Sequence, residues 1–143
     1  MLQEIPLDEA LGTAMNMVSS ARASIRMTMR ATEETENPIP DAYFELLRQR
    51  IEEGVHVTRI GFGSQKEFLL LEHRVKSDAP NYAFYRTDES DYRRMLLVDG
   101  ARLLFAKDTD IGRQVFYTED SEIIRAYEQY FTARRGAIDG KES

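Results

Sequence analysis

The 143-residue chain contains no cysteine. That absence excludes disulfide staples, cysteine-ligated zinc, iron–sulfur clusters and thiol nucleophiles, and it fits a reducing compartment. No apolar run approaches the roughly 18 residues that suggest a membrane span. The opening residues, Met-Leu-Gln-Glu-Ile-Pro-Leu-Asp-Glu, lack the basic-then-apolar order of a secretory signal. A soluble, cytoplasmic protein with no membrane insertion is therefore expected. Histidine is scarce: His56 and His73 are the two present. Neither has another histidine at ligand spacing, so no zinc site is expected. Asp88, Glu89, Asp91, Asp108 and Asp110 lack calcium-loop spacing and read as turn acids. Gly61 and Gly63 complete neither a dinucleotide fingerprint nor a phosphate loop, and a tight turn accounts for them. The sequence calls for no metal and no cofactor.

What is present is globular. The chain is 42% apolar and 31% charged, and its seven Tyr and seven Phe argue against disorder. Its length suits one domain with a substantial core. A single domain is expected over residues 1–136, with 137–143 a frayed tail. The formal net charge of −6 makes nucleic acid an unfavoured partner, while leaving room for a local basic groove. Core packing or a dimer surface explains the aromatics at Tyr82 to Phe131 better than base stacking does.

Periodicity orders the chain. Leu7, Leu11, Ala14, Met15, Val18 and Ala21 repeat at helical spacing after Pro6, predicting a helix to about Arg22. Ser24–Arg30 alternates, with Ile25, Met27 and Met29 on one face and Arg26, Thr28 and Arg30 on the other. Residues 31–40, acidic and proline-bearing, predict a loop that could rim a pocket. Tyr43, Leu46, Leu47 and Ile51 mark a second helix, ended by Gly54, and Val55–Phe62 is strand-like. Ser64 and Glu67 form a capping box for a third helix with Phe68, Leu71 and Val75 buried. Four close-spaced strands follow: Tyr82–Arg86, Arg93–Val98, Arg102–Ala106 and Arg113–Tyr117. A polar turn is expected at Lys107–Asp110, and a last helix from Asp120 or Ser121 to Gly136. Strands joined through helices imply parallel pairs and the close-spaced ones antiparallel pairs. The expected class is α/β, a mixed sheet flanked by helices.

One stretch carries chemistry. Thr87-Asp-Glu-Ser-Asp91 leads into Tyr92-Arg-Arg-Met-Leu-Leu-Val-Asp-Gly100, which reads Tyr-x-Arg-x-x-x-x-Asp-Gly. The two-residue spacing predicts Tyr92 and Arg94 on one strand face, with Asp99 at a turn. With Ala21-Arg-Ala-Ser-Ile25 and Gly54-Val-His-Val57 upstream and a final helix downstream, the chain over about residues 5–135 resembles a phospholipase D-like domain. That family has a His-x-Lys-x-x-x-x-Asp motif and, after it, Gly-Ser-x-Asn. Here Tyr92 stands at the histidine and Arg94 at the lysine, whereas Asp99 and Gly100 are kept. Ala106, Lys107, Asp108 and Thr109 fall on Gly-Ser-x-Asn and keep none of its specified residues.

The resemblance implies a phosphodiester site built from two motifs, using imidazole as nucleophile and acid near its pKa of about 6.5. Tyrosine, with an ordinary pKa near 10, is poorly poised for either role. Arg94 keeps the cation and gains a fork suited to phosphate, sulfate or carboxylate. The resemblance thus implies an inactive sensor or regulatory module that binds an anionic ligand, formed as a homodimer with Tyr92 and Arg94 facing their copies. Arg26, Arg30 and Lys107 are further candidate ligand contacts, and Asp99 and Gly100 are structural support. Simpler accounts stay open for each: a surface strand and salt bridges to Glu33, Glu34 and Glu36 for the arginines, a solvated turn for Lys107. A protein-interaction module and a surviving phosphodiesterase or nuclease are the alternatives.

Overall fold

The structure, a computed structural model, describes residues 2–69, 71, 75, 77–88 and 90–138. In chain order the elements are β1 (Leu2–Ile5), α1 (Leu7–Ser19), β2 (Ser24–Arg30), α2 (Ala31–Glu36), α3 (Asp41–Glu52), β3 (His56–Phe62), α4 (Gln65–Leu69), β4 (Tyr82–Thr87), β5 (Arg94–Val98), β6 (Arg102–Thr109), β7 (Gly112–Thr118) and α5 (Ser121–Gly136). The strands form one mixed sheet in the order β1-β7-β6-β5-β2-β3-β4. β2, β3 and β4 are parallel, joined through helical connections. β5, β6, β7 and β1 extend the sheet from β2 in antiparallel register.

Side-chain alternation divides the core into two layers. Ile25, Met27, Val57, Phe84, Leu96, Val98 and Leu104 pack with Val18 of α1 and Phe44, Leu47 and Ile51 of α3. The opposite face, with Ile60, Phe62, Met95, Leu97, Leu103 and Phe105, is covered by Ile124, Tyr127, Tyr130 and Phe131 of α5. Because helices cover both faces, the central strands are buried on both sides. That is why Met95-Leu-Leu-Val98 reads as a continuous apolar run rather than an alternation.

Four expectations need correction. β1 was not expected; it is an edge strand whose Leu2–Ile5 pairs with Thr118–Val115 of β7, and four residues before a proline carry almost no periodic signal. Residues 31–36 form α2 rather than a loop, and only 37–40, with Pro38 and Pro40, are irregular. The third helix is described over Gln65–Leu69, and Leu71 and the buried Val75 lie outside it. Its capping box is formed nonetheless: Ser64 N–H donates to Glu67 Oε1 at 2.8 Å and Glu67 N–H to Ser64 Oγ at 3.1 Å. Finally, β6 runs on through Lys107 and Asp108 to Thr109, and the turn is Asp110-Ile111. His73, Glu89 and residues 139–143 of the expected tail lie outside the described residues, while Ile138 packs on the α5 side of the core.

Asp99 and Gly100 occupy the β5–β6 turn with φ of 58° and 66°, the left-handed geometry of a tight hairpin turn. The Asp99 carboxylate accepts the backbone N–H groups of Arg22, Ala23 and Ser24 at 2.7–3.1 Å. It thereby ties the hairpin to the start of β2. Burial works to raise its pKa, but the three N–H donors and Arg102 outweigh that and hold it below the usual aspartate value. Asp99→Ala removes three acceptor contacts and leaves a β-carbon in the left-handed region. A loss of about 2 kcal/mol is expected, read as a lowered urea midpoint at unchanged m-value.

Candidate anion-binding cleft

The cleft lies where β2 and β5 separate. Their ladder runs Ile25↔Val98, Arg26↔Leu97 and Met27↔Leu96. At the next position the buried Thr28 substitutes its side chain for backbone pairing: Oγ1 donates to the Arg93 carbonyl at 2.6 Å and accepts from Met95 N–H at 3.0 Å. The opposite side of this segment is moored to α5. Tyr130 Oη accepts from Arg93 N–H at 2.9 Å and donates to the Asp91 carbonyl at 2.6 Å, and Arg134 pairs with Asp91 at 2.7 Å. Tyr92 therefore precedes β5 instead of sharing a strand face with Arg94, contrary to the expected spacing. The two side chains nevertheless meet, because both reach the same carboxylate.

That carboxylate belongs to Glu33 of α2. Tyr92 Oη donates to Glu33 Oε1 at 2.7 Å, and Arg94 Nη1 donates to the same oxygen at 3.1 Å. Arg113, from the start of β7, pairs with Glu33 Oε2 and also with Asp108 Oδ1 at 3.1 Å. The Tyr92 ring lies 5.1 Å from Phe62, and the Arg30 guanidinium stands 4.3 Å from the Tyr92 ring centroid. Burial pushes the Tyr92 phenol upward, and the hydrogen bond to anionic Glu33 adds to this; Arg94 opposes without prevailing. For Glu33, burial acts to raise the carboxyl, but the Tyr92 and Arg113 hydrogen bonds and the Arg94 and Arg113 charges hold it below the usual glutamate value.

Around this cluster opens a cleft of about 510 Å³. Its walls carry Arg30, Arg93, Arg94, Lys107 and Arg113 against the single acid Asp108, with Glu33 bonded to Arg94 and Arg113 from α2. Arg30 and Lys107 have no ion-pair partner among the described residues; Lys107 Nζ stands 6.0 Å from the Phe105 ring. A chain of net charge −6 thus keeps one strongly positive recess. The structure brings Tyr92, Arg94, Arg30 and Lys107 together. It does not bring Arg26, which pairs with Glu128 of α5 at 3.2 Å. Asp99 and Gly100 sit in the turn at the other end of β5.

Two members of the cluster were not singled out from the sequence. Glu33 enters the sequence reading as one acid of the 31–40 rim and as a local salt-bridge partner of Arg26 and Arg30, not as the anion shared by Tyr92, Arg94 and Arg113. Arg113 was passed over, although a basic residue opening the strand opposite Lys107-Asp108 was a usable signal: Asp108↔Arg113 is the register. His56 is exposed at the opposite end of β3, level with Ser24, about 20 Å from the Arg30 end of β2 at ordinary strand rise. Among the described residues, no three or more His, Asp or Glu side chains converge as a metal site would require.

Solved structures share this architecture. The phospholipase D family member Nuc from Salmonella typhimurium is 11% identical, with 99% of this chain and 96% of that one covered and a TM-score of 0.67. NucT from Helicobacter pylori is 14% identical over 98% and 97% of the two chains, with a TM-score of 0.68. The fold is phospholipase D-like. TrmBL2, an archaeal chromatin protein whose structure shows a novel mode of DNA binding, matches at a TM-score of 0.74 and 10% identity. There 96% of this chain is covered, but it spans only about half, 53%, of TrmBL2. No protein-family model and no curated protein sequence matches the chain. At these identities the likeness is one of fold. Among the described residues, no helix of this phospholipase D-like fold is long and apolar enough to cross a membrane.

The Glu33 contacts make stability pH-dependent in a defined direction. A carboxyl with a lowered folded-state pKa contributes stability above its unfolded pKa of about 4.3 and loses it as pH falls through the folded value. Wild type is expected to lose stability from about pH 5 downward. Glu33→Gln should be about 2 kcal/mol less stable at pH 7 and show a shallower acid slope, measured by urea unfolding across pH.

Proposed function

We propose that the chain is a non-catalytic phospholipase D-like regulatory module that binds an anionic ligand in the Arg30–Lys107–Arg113 cleft. The observation that carries this reading is the state of Tyr92. At the position where the resemblance places the family's nucleophile, the phenol is half-buried, donates a hydrogen bond to Glu33 and has its pKa pushed up. Glu33 accepts the phenol's hydrogen bond, but Arg94 and Arg113 hold its carboxyl below the usual glutamate value and make it a weak base, whereas a tyrosine nucleophile needs a strong base or a lowered pKa. No described imidazole stands near to act as acid or base, since His56 lies at the far end of β3.

The surrounding cations support binding in place of catalysis. Arg94 and Arg113 already hold a carboxylate in charge-assisted geometry. An incoming phosphate or sulfate competes with Glu33 for these guanidinium groups and gains Arg30 and Lys107. In a homodimer arranged about the cleft, two such clusters would face each other. The resemblance to TrmBL2 favours one further ligand source, a nucleic-acid backbone, whose phosphates present the same chemistry.

Titration with phosphate, sulfate, nucleotides and short single- and double-stranded oligonucleotides tests the reading. Binding is expected to weaken with salt and to fall at least tenfold in Arg113→Ala and Arg94→Ala. Failure of every anion to bind favours a protein-interaction module. Hydrolysis of a generic phosphodiester by wild type but not by Tyr92→Phe would restore the enzymatic reading. Light scattering across a concentration series is expected to show a dimer, and a monomer throughout removes that part.

A further inference from the structure

Arg59, on the face of the sheet opposite α5, has no part in the cleft. It stands mid-strand in β3, level with Met27 of β2 and Phe84 of β4, and is only 4% exposed. Its guanidinium lies 5.7 Å from the Phe44 ring centroid and 5.4 Å from that of Phe84. Nη1 donates to the Tyr82 hydroxyl at 3.3 Å and Nη2 to the Met29 thioether at 3.3 Å, a weak acceptor. Nε has no hydrogen-bond partner, and among the described residues no carboxylate pairs with this cation.

A guanidinium stays charged in any protein environment, so Arg59 cannot escape burial by losing its proton. Buried charges are ordinarily paired, because an uncompensated one loses its hydration with nothing in return. Two aromatic faces, a phenol and a thioether compensate partially. Arg59 also forms part of the wall of a cavity of about 450 Å³ between α1, α3 and the sheet, within the size range of small-molecule sites. The rest of that wall is largely apolar, including Leu11, Met27, Tyr43, Phe44 and Leu104, with 37–40 along one side. Leu7 and Leu11 of α1 border it too and are 60% and 39% exposed. Arg94 and the half-buried Glu34 border the cavity as well; Glu33 holds the Arg94 charge, and Glu34 makes the α2 side of the cavity the unfavourable one for an anion, leaving the Arg59 side for the carboxylate.

We propose that this cavity binds a single-tailed apolar carboxylate, with the carboxylate on the Arg59 guanidinium and the tail among the apolar walls. One buried cation matches one negative charge; a dianionic phosphate would leave a charge uncompensated. The planar guanidinium edge suits a carboxylate, and Met29 is a flexible side chain able to yield Sδ's place to an oxygen. The cavity shares Arg94 and Ala106 with the cation cleft, but Arg59, which holds the carboxylate, lines the cavity and not the cleft.

Decanoate, used below its micelle-forming concentration, is the probe, with binding followed by calorimetry and thermal unfolding. Decanoate is expected to bind and to raise the melting temperature of wild type. Decanol, which has the tail without the charge, and acetate, which has the charge without the tail, should each bind at least tenfold more weakly. Arg59→Met is expected to weaken decanoate at least tenfold while its unliganded melting temperature stays level or rises, since an unpaired buried charge is gone. Should that variant fail to fold, Arg59→Gln gives the same readout, and the wild-type comparison needs no variant. Saturating inorganic phosphate should leave decanoate binding unchanged. No decanoate binding, equal binding of decanol, undiminished binding in the Arg59 variants, or displacement by phosphate would each overturn the proposal.

Discussion

The Glu33 carboxylate gathers three donors from two distant parts of the chain: Tyr92 and Arg94 at the start of β5, and Arg113 on β7. Without this shared anion, Arg94 would leave its charge unmatched and Arg113 would keep only the exposed Asp108, beside Arg30 in a partly buried recess where repulsion is weakly screened. The same contact anchors α2, which at six residues is far too short to persist as an isolated helix. The proline-bearing 37–40 segment that follows α2 forms part of the wall of the Arg59 cavity. One carboxylate therefore settles the polar cleft on one side and helps to place the border of an apolar cavity on the other.

Net charge and local charge point in different directions in this protein, and the sheet explains how. β2 ends, β5 begins, β6 ends and β7 begins at the same edge, so Arg30, Arg94, Lys107 and Arg113 are brought together from 84 residues of chain. The parallel-to-antiparallel change occurs at β2, and open α/β sheets commonly place ligands at the carboxyl ends of strands near such a switch. With Tyr92 at the family's imidazole and Arg94 at its lysine, as proposed, this positive end of the sheet stays in place. Under that reading, what differs is the group able to exchange protons near neutral pH.

Much of this was legible in the chain. The alternation of Ser24–Arg30, the helical stripes around Leu47 and Tyr127, and the Asp99-Gly100 turn each signalled their element, because burial on a defined face leaves a periodic trace. β1 left no such trace, being four residues at an edge. α2 was hidden because Thr-Glu-Glu-Thr-Glu has no apolar stripe; the helix is held by a tertiary ion pair that propensity does not record. The site was half legible for the same reason. Tyr92 and Arg94 share a local motif, whereas Glu33 and Arg113 lie 59 residues before Tyr92 and 19 after Arg94, and only strand order brings them in. Arg59 gave no warning, since an arginine among β-branched residues reads as a solvent-facing position.

The strand order also sets a timetable. β2 takes one neighbour, β3, after a short helical excursion, but its other neighbour, β5, lies some seventy residues downstream of it. The Asp99 carboxylate that caps the first residues of β2 arrives later still. As the chain emerges from the ribosome, one edge of β2 stays open until Leu96–Val98 of β5 have been made. Contacts so far apart in sequence carry a loop-closure cost before they are rewarded, which places this topology among the slower folders. The open edge of β2 during that interval is a surface that a chaperone, or a second nascent copy, is able to pair with.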